Sequence, residues 1–281
     1  MTTKKMPEVA NRLKFLIPTQ NNPDTPLFVF LPGMDGSGKL LQTQTECLEK
    51  AFDIRCLAIP ADDLNDWDIL SAHVVDLIKA ELKSRPQQTV YLCGESFGGC
   101  LTLKVAVRSP QLFDRVILIN PASSFARRPL LHWGAQLLPW MPDLIYRGTA
   151  LALLPFLVAW RKVEKDDRRA LLHEMRSVPP KSVGWRLSLL GEFDVSDDEL
   201  SQLDRPVLIL AGEVDRVLPS VEEAERLMKR LPNAKRVLLP QSGHACLLEA
   251  DLNLYDILHE NDFLSADARS SLPHNSSISF D

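Results

Sequence analysis

Short apolar runs that alternate with amphipathic stretches are the feature that most constrains the fold of this chain. Within each run, branched and aromatic residues follow one another without polar alternation, which is typical of strands covered on both faces. The runs are Leu27–Leu31, Ile54–Ile59, Val90–Cys93, Val116–Ile119, Val207–Ala211 and Val237–Leu239. The stretch from about Asp68 to Ser84 instead has apolar residues at helical spacing, and Ser220 followed by Glu223 predicts a capping box at a helix start. Strand and helix in succession predict an α/β fold with a mostly parallel, doubly wound sheet.

One region interrupts this alternation and sets the predicted domain boundaries. Residues 123–202 carry helical patterns but no strand-like run, so they are predicted to form a helical cap inserted into a core of residues 26–122 and 203–261. Residues 1–25 are predicted to be an N-terminal extension, and the polar, Ser-rich residues 262–281 a disordered tail. A chain of 281 residues is long enough for one such domain with an insertion.

Composition and charge disfavour several classes of protein. The formal net charge is −5, and no long basic run offsets it, which argues against a nucleic-acid partner. The five cysteines are scattered without a Cys-x-x-Cys pair, which indicates reduced thiols and no structural zinc site. The longest apolar run, residues 150–160, is shorter than the ~20 residues that a membrane-spanning helix needs. Because no signal-peptide pattern precedes Pro18, we expect a cytoplasmic protein, peripheral to a membrane at most.

The run Gly94-Glu95-Ser96-Phe97-Gly98 carries the first candidate for catalysis. Gly-x-Ser-x-Gly makes a sharp strand-to-helix turn that exposes the serine hydroxyl, and its glycines let neighbouring backbone approach closely. Ordinary glycine-rich turns also produce this short motif, so its context matters. Here a predicted strand precedes the motif and a potential helix follows it, which makes Ser96 the candidate nucleophile.

A serine nucleophile needs a base, and a histidine base needs an acid to orient it. His244 follows the last predicted strand, at the carboxyl edge where open α/β sheets place their sites. Asp215 follows the strand of residues 207–211 at the same edge and is the candidate acid, with Glu213 as the alternative. The remaining histidines lie on a helix face, in the predicted cap or near the C-terminus, where structural roles are the simpler interpretation.

Two backbone N–H groups are candidates for an oxyanion hole. One belongs to Phe97, directly after the nucleophile, and the other to Met34, in the glycine-rich loop after the first predicted strand. Such a donor is worth about 3 kcal/mol of activation barrier in known enzymes. The same loop also raises the question of a phosphate site, but Lys39 is followed by Leu40 rather than by Ser or Thr, so a P-loop is not indicated.

The order oxyanion loop, nucleophile, acid and histidine is that of α/β-hydrolases. The chain resembles serine esterases, lipases and thioesterases of this fold and, more narrowly, the hydrolase portion of the phytyl ester synthase family of plastids and cyanobacteria. The matching stretches are residues 30–38, 94–100, 120–125, 211–219 and 242–244. The resemblance favours Asp215 as the acid and implies acyl-ester chemistry on hydrophobic substrates. The plant enzymes carry a further acyltransferase-like domain that is missing here, so we expect hydrolysis rather than acyl transfer.

The predicted cap is the sequence's best indication of the substrate. Its apolar segments contain Trp133, Trp140, Phe156 and Trp160, which are predicted to wall a hydrophobic acyl pocket over Ser96. The simpler alternative is that these residues only pack the cap onto the domain, since most Trp and Leu residues belong to cores. An amphipathic cap would also suit contact with a membrane surface.

These observations together predict a serine hydrolase that cleaves carboxylic esters, with hydrophobic or lipid acyl groups, through an acyl-enzyme on Ser96. The chemistry requires neither a metal nor an organic cofactor, and none is predicted. An acyltransferase that moves a fatty acyl group to a long-chain alcohol, such as phytol or diacylglycerol, is the first alternative. A lyase that uses the same residues and a non-catalytic binding scaffold are the others.

Overall fold

The computed structural model describes residues 12–19, 22–85, 88–127 and 143–270. These residues form a seven-stranded sheet of order β1-β3-β2-β4-β5-β6-β7. The strands are β1 (Lys14–Leu16), β2 (Leu27–Leu31), β3 (Asp53–Ala58), β4 (Val90–Glu95), β5 (Arg115–Ile119), β6 (Val207–Gly212) and β7 (Ala234–Leu239). All neighbouring strands are parallel except β1, which is antiparallel to β3. The predicted fold class, a mostly parallel α/β sheet, is confirmed.

Helices in the described parts of the chain cover both faces of this sheet. They are α1 (Gln42–Leu48), α2 (Trp67–Leu82), α3 (Phe97–Arg108), α4 (Asp143–Leu157), α5 (Lys165–Ser177), α6 (Pro180–Gly191), α7 (Asp197–Ser201), α8 (Ser220–Met228), α9 (Leu254–Glu260) and α10 (Ala266–Ser270). Leu27 and Val29 of β2 belong to the core cluster that includes residues of α2, α3 and α8, whereas Phe28 and Phe30 belong to the cluster that includes residues of α1 and α9. Burial on both faces explains why the central strands β2 and β6 carry no polar side chain. None of these helices has the length and apolar character needed to cross a membrane.

The predicted N-terminal extension contains a strand that the sequence pattern missed. Residues 14–16 form β1, which pairs with β3 through Lys14 and Ala58, Phe15 and Leu57, and Leu16 and Cys56. The strand is three residues long and only partly buried, so its short apolar run, residues 15–17, did not stand out in the sequence. Short strands of this kind are common at sheet edges.

Between β5 and β6 the elements of the described residues are helices, and the bounds of the cap stay a prediction. They comprise a 3₁₀ segment, Ala122–Arg127, followed by α4, α5, α6 and α7. Residues 128–142, which include Trp133 and Trp140, lie outside the described residues. An isolated antiparallel bridge joins Val163 to Glu249 and so ties the segment between α4 and α5 to the loop that follows β7.

The prediction of a disordered tail from residue 262 is wrong for residues 262–270. Phe263, Leu264 and Ala268 are buried in the same core cluster as α9, and the phenol oxygen of Tyr91 accepts a hydrogen bond of 2.6 Å from the Ser265 N–H. These few apolar side chains lie among polar residues, so the overall polar composition of the segment led to the prediction of disorder.

Candidate active site

Ser96 occupies the sharp turn between β4 and α3. Its φ angle is 55°, in a region that non-glycine residues enter only under strain. Only glycine fits at the two flanking positions, because a Cβ atom on Gly94 would overlap Thr102 and one on Gly98 would overlap the carbonyl of Leu31. Close packing of the turn against β2 therefore holds the serine at the carboxyl edge of the sheet.

The structure brings Ser96, His244 and Asp215 into one chain of hydrogen bonds. Ser96 Oγ lies 2.8 Å from His244 Nε2, and His244 Nδ1 lies 2.7 Å from Asp215 Oδ2. The three residues come from the ends of β4, β7 and β6, which meet at one edge because these strands are parallel. Glu213, the alternative acid, is exposed, and Asp215 is the residue that contacts the imidazole. This arrangement can move a proton from the hydroxyl to the ring.

Asp215 is held by its own loop in the orientation that reaches His244. Its Oδ1 accepts hydrogen bonds from the N–H groups of Val217, at 2.8 Å, and Leu218, at 3.0 Å, and its Oδ2 accepts one from Ser220 Oγ at 2.5 Å. Burial opposes ionisation, but the charge of His244 and these hydrogen bonds outweigh it and lower the pKa of the carboxyl. The predicted capping box at Ser220 is wrong, since this hydroxyl is bonded to Asp215 and makes no cap.

The environment of His244 favours its protonated form. Burial alone would lower the pKa of the imidazole, but the negative charge and hydrogen bond of Asp215, with the charge of Glu95, raise it above its usual value. Stabilisation of the imidazolium makes His244 a stronger base toward the serine hydroxyl.

The loop after β2 lies beside Ser96. Met34 lines the cavity in front of Ser96, and Phe97 begins α3, whose first N–H groups have no helical partner. The proximity of both residues to Ser96 agrees with their predicted use as oxyanion donors, and that role stays a prediction. The carbonyl of Met34 accepts a hydrogen bond of 2.6 Å from Arg186 Nη1 of α6, a contact that sequence reasoning missed.

Two further residues that the sequence did not predict hold the loop containing His244. The Glu249 carboxylate accepts hydrogen bonds from Ser242 Oγ, at 2.7 Å, and from the Gly243 N–H, at 2.8 Å. Asn120 Nδ2 donates to the His244 carbonyl at 2.7 Å, while its Oδ1 accepts from the Gly212 N–H at 2.8 Å. Asn120 lies in one of the stretches that carry the family resemblance, whereas nothing in the sequence around Glu249 marks it.

A cavity of about 260 Å³ opens in front of Ser96 and His244. Its polar side chains are Asp35, Glu95, Ser96 and His244, which lie together at the sheet edge. The rest of the described lining is apolar and consists mainly of Leu40, Phe125, Ala150, Leu153, Leu157, Leu171, Met175, Val178, Val183, Leu187, Leu190, Val217 and Leu218. The cavity thus combines a reactive polar end with a hydrophobic wall supplied largely by the cap.

Of the predicted substrate residues, Phe156 and Trp160 are described by the structure, whereas Trp133 and Trp140 lie outside the described residues. Phe156 and Trp160 do not contribute to the described lining of the cavity, whereas Leu153 and Leu157 of α4 do. Leu153 and Leu157 are four residues apart and share one face of α4, and this face contributes to the described lining of the cavity. Trp160 instead lies under the guanidinium of Arg168, 4.6 Å from the ring centroid.

The model of the hydrolase family described as serine aminopeptidase, S33 (Hydrolase_4) matches residues 62–251. The chain belongs to this family. It is 34% identical over 258 residues to phytyl ester synthase 1, chloroplastic, of Arabidopsis thaliana, a match that covers 84% of this chain and 36% of that protein. It is 25% identical over 238 residues to pimeloyl-[acyl-carrier protein] methyl ester esterase of Nitrosomonas europaea, covering 82% of this chain and 92% of that one.

Among solved structures, MenH from S. aureus superimposes with a TM-score of 0.73 at 18% identity, over 90% of this chain and 99% of that one. At this identity the similarity shows the fold alone, and it confirms the α/β-hydrolase architecture. The hydrolase resemblance inferred from the motifs is likewise confirmed. The chain spans little more than a third of the phytyl ester synthases that it matches, at 36% and 37% of their lengths.

Proposed function

We propose that the protein is a serine esterase in which Ser96 is the nucleophile, His244 the general base and Asp215 the acid that orients the imidazole. The observation that carries this proposal is the continuous chain of hydrogen bonds from Asp215 through His244 to Ser96, at the polar end of an apolar cavity. Membership of a hydrolase family supports it.

The reaction proceeds in two steps through an acyl-enzyme. His244 takes the proton of Ser96 Oγ as the oxygen attacks the ester carbonyl, and the N–H groups of Met34 and Phe97 stabilise the oxyanion. The tetrahedral intermediate collapses as the imidazolium gives its proton to the departing alcohol. Water, deprotonated by His244, then attacks the acyl carbon and releases the acid and free Ser96.

The cavity favours esters with a hydrophobic acyl group. Apart from four polar residues at its reactive end, its described lining is apolar, and such walls reward the burial of hydrocarbon. The methyl ester esterase named above also acts, by its name, on the ester of an acyl chain.

Hydrolysis of 4-nitrophenyl esters of graded acyl length tests this proposal. Wild type should cleave them, with kcat/KM rising from acetate toward medium chains, and Ser96→Ala should lose activity by at least ~10⁴-fold. Ser201→Ala, which removes an exposed hydroxyl bonded only to the Asp198 carbonyl, is the matched control and should match wild type. Full turnover by Ser96→Ala would refute the assignment of the nucleophile.

Acyl transfer to a long-chain alcohol is the second candidate, supported by the 34% identity to a phytyl ester synthase. It requires an alcohol to replace water in the attack on the acyl-enzyme. Products formed from one ester in the presence and absence of phytol should be separated and quantified. A wax-type ester as the main product would favour transfer, whereas free acid alone would favour hydrolysis.

Contact with a lipid surface is part of the same proposal. Leu151, Phe156 and Trp160 are each at least half exposed, and they flank Leu153 and Leu157, which line the cavity. Wild type should co-sediment with phosphatidylcholine–phosphatidylglycerol vesicles, and the pair Phe156→Ser and Trp160→Ser should weaken this binding while 4-nitrophenyl acetate is still cleaved. Equal sedimentation of both proteins would contradict contact through this surface.

A further inference from the structure

Glu95 is a buried carboxyl group in the site that the two-step mechanism does not use. It is the last residue of β4, precedes Ser96 and lines the cavity with His244. The residue is only 9% exposed, and its Oε1 is fully buried with no hydrogen-bond partner among the described residues. Burial of an unpartnered carboxyl oxygen is unfavourable, so a purely structural role does not explain this side chain.

The ionisable groups that interact electrostatically with Glu95 come from several elements, and two of them, Asp35 and His244, line the same cavity. Asp35 lies in the loop after β2 and His244 in the loop after β7, while Cys93 shares β4 and Cys246 begins the turn that follows His244. Burial raises the pKa of both thiols well above the usual value, so they remain neutral. His244 is the one group of this set that can become positively charged, and the described lining of the cavity contains no lysine or arginine.

We propose that Glu95 is a second carboxyl group that acts on His244 and sets how readily the imidazole holds the proton taken from Ser96. Ionised Glu95, together with Asp215, stabilises the imidazolium of His244, whereas protonated Glu95 has no charge and does not stabilise it. Glu95 is a positioning residue in the electrostatic sense, since it acts through His244 and forms no bond to the substrate. This inference rests on the proposed function.

The charge of Glu95 changes in the pH range in which a histidine base works. Burial raises the pKa of its carboxyl to about 7. The charge of Asp35 also raises this pKa, whereas the charge of His244 lowers it. Because an ionised carboxylate favours the protonated imidazole, removal of this charge lowers the pKa of His244. The enzyme then becomes active at lower pH, but its maximal rate falls because the imidazolium of the transition state is less stabilised.

The pH dependence of kcat/KM for Glu95→Gln, compared with wild type, tests the inference. The midpoint of the acidic limb should move to lower pH by about one unit, and the plateau should fall several-fold. Glu95→Asp keeps the carboxyl group, so its midpoint and plateau should be closer to the wild-type values than those of Glu95→Gln. Glu213→Gln is the matched control, since it removes an exposed carboxylate from the loop after β6 and should leave the midpoint unchanged. The rate at which a fluorophosphonate modifies Ser96 should follow the same profiles.

A structural role for Glu95 predicts a different result, namely a loss of activity or of Tm with an unchanged midpoint, and that result would overturn the inference. If Glu95→Gln does not fold, the NMR chemical shifts of the His244 ring nitrogens in wild type can be measured as a function of pH instead. Two coupled groups titrate in two steps, so a single-step titration would also overturn it. An absence of both ester turnover and Ser96 labelling in wild type would instead refute the proposed function itself.

Discussion

Arg186 Nη1 lies 2.6 Å from the carbonyl oxygen of Met34, so a buried cation of the cap is bonded to the loop that carries a predicted oxyanion donor. The same guanidinium donates to the Pro60 carbonyl at 3.1 Å, and a Cβ atom on Gly36 would contact it. Only 2% of Arg186 is exposed. The cap therefore fixes the shape of the loop beside Ser96 in addition to walling the cavity.

Arg186→Met should reduce both stability and activity. The substitution keeps most of the side-chain volume but leaves the carbonyls of Met34 and Pro60 without this donor, which costs about 2 kcal/mol of unfolding free energy. The loosened loop should lower kcat/KM by at least ~10-fold, because small shifts of catalytic groups have large effects on rate. Urea unfolding and 4-nitrophenyl ester kinetics measure the two effects. Arg169→Met, which removes an exposed guanidinium paired with Asp166, should change neither, and similar values for both variants would contradict the role of Arg186.

Asp215→Asn should reduce kcat by about 10⁴-fold, as loss of the orienting acid does in serine proteases. The amide is nearly isosteric but carries no charge to stabilise the imidazolium, and it can donate a proton toward Nδ1. Ser220→Ala removes one hydrogen bond to Asp215 and should give a much smaller loss. A Ser220→Ala effect as large as that of Asp215→Asn would mean that the hydroxyl has a direct role in the reaction.

The pH profile should reflect the raised pKa of His244. The base must be neutral to accept the proton of Ser96, so kcat/KM should increase with pH and reach half of its maximum above the usual imidazole value of about 6.5. By linkage, the same raised pKa stabilises the fold below about pH 6.5, and this contribution is lost as pH rises through the folded pKa. A kcat/KM profile with its midpoint below pH 6.5 would contradict the arrangement around His244.

Glu249→Ala should destabilise the protein and misplace the base. It removes the acceptor for Ser242 and Gly243 in the loop before His244, at a cost of about 2 kcal/mol, and kcat should fall with little change in KM. Glu225→Ala breaks an exposed pair with Arg236 and should cost less than ~1 kcal/mol. Denaturant midpoints and steady-state kinetics of the two variants provide the comparison, and equal effects would rule out a special role for Glu249.

The parts of the fold that the sequence predicted are those specified by short local patterns. The six apolar runs became β2 to β7 because strands covered on both faces need apolar residues at successive positions. Ser96 and His244 could be chosen without coordinates, since each follows a strand and parallel strands end at one edge. The choice of Asp215 over Glu213, which follows the same strand, depended on the family resemblance. Which apolar residues of the cap face the cavity depends on the rotation of α4, and the presence of Phe156 and Trp160 in the sequence does not reveal it.

The features that the sequence did not predict depend on contacts between residues that are distant in the chain. Arg186 and Met34 are 152 residues apart, and a lone arginine in an amphipathic helix has the same local sequence whether it is solvated or buried against a carbonyl. The strand β1 and the buried residues near 263 were missed for a related reason, because each depends on neighbours that the fold brings to it from elsewhere in the chain.

The cap is joined to the core by hydrogen bonds on both sides of α5. Before α5, the carbonyls of Leu157 and Lys162 accept hydrogen bonds from the N–H groups of Ala245 and Ala250, and after it Arg186 is bonded to Met34. A cap transplanted from a relative to change specificity would therefore lack the hydrogen bonds that hold the loops of Met34 and His244. Exchange of single wall residues such as Leu153 leaves these attachments intact and is the better route for engineering this scaffold.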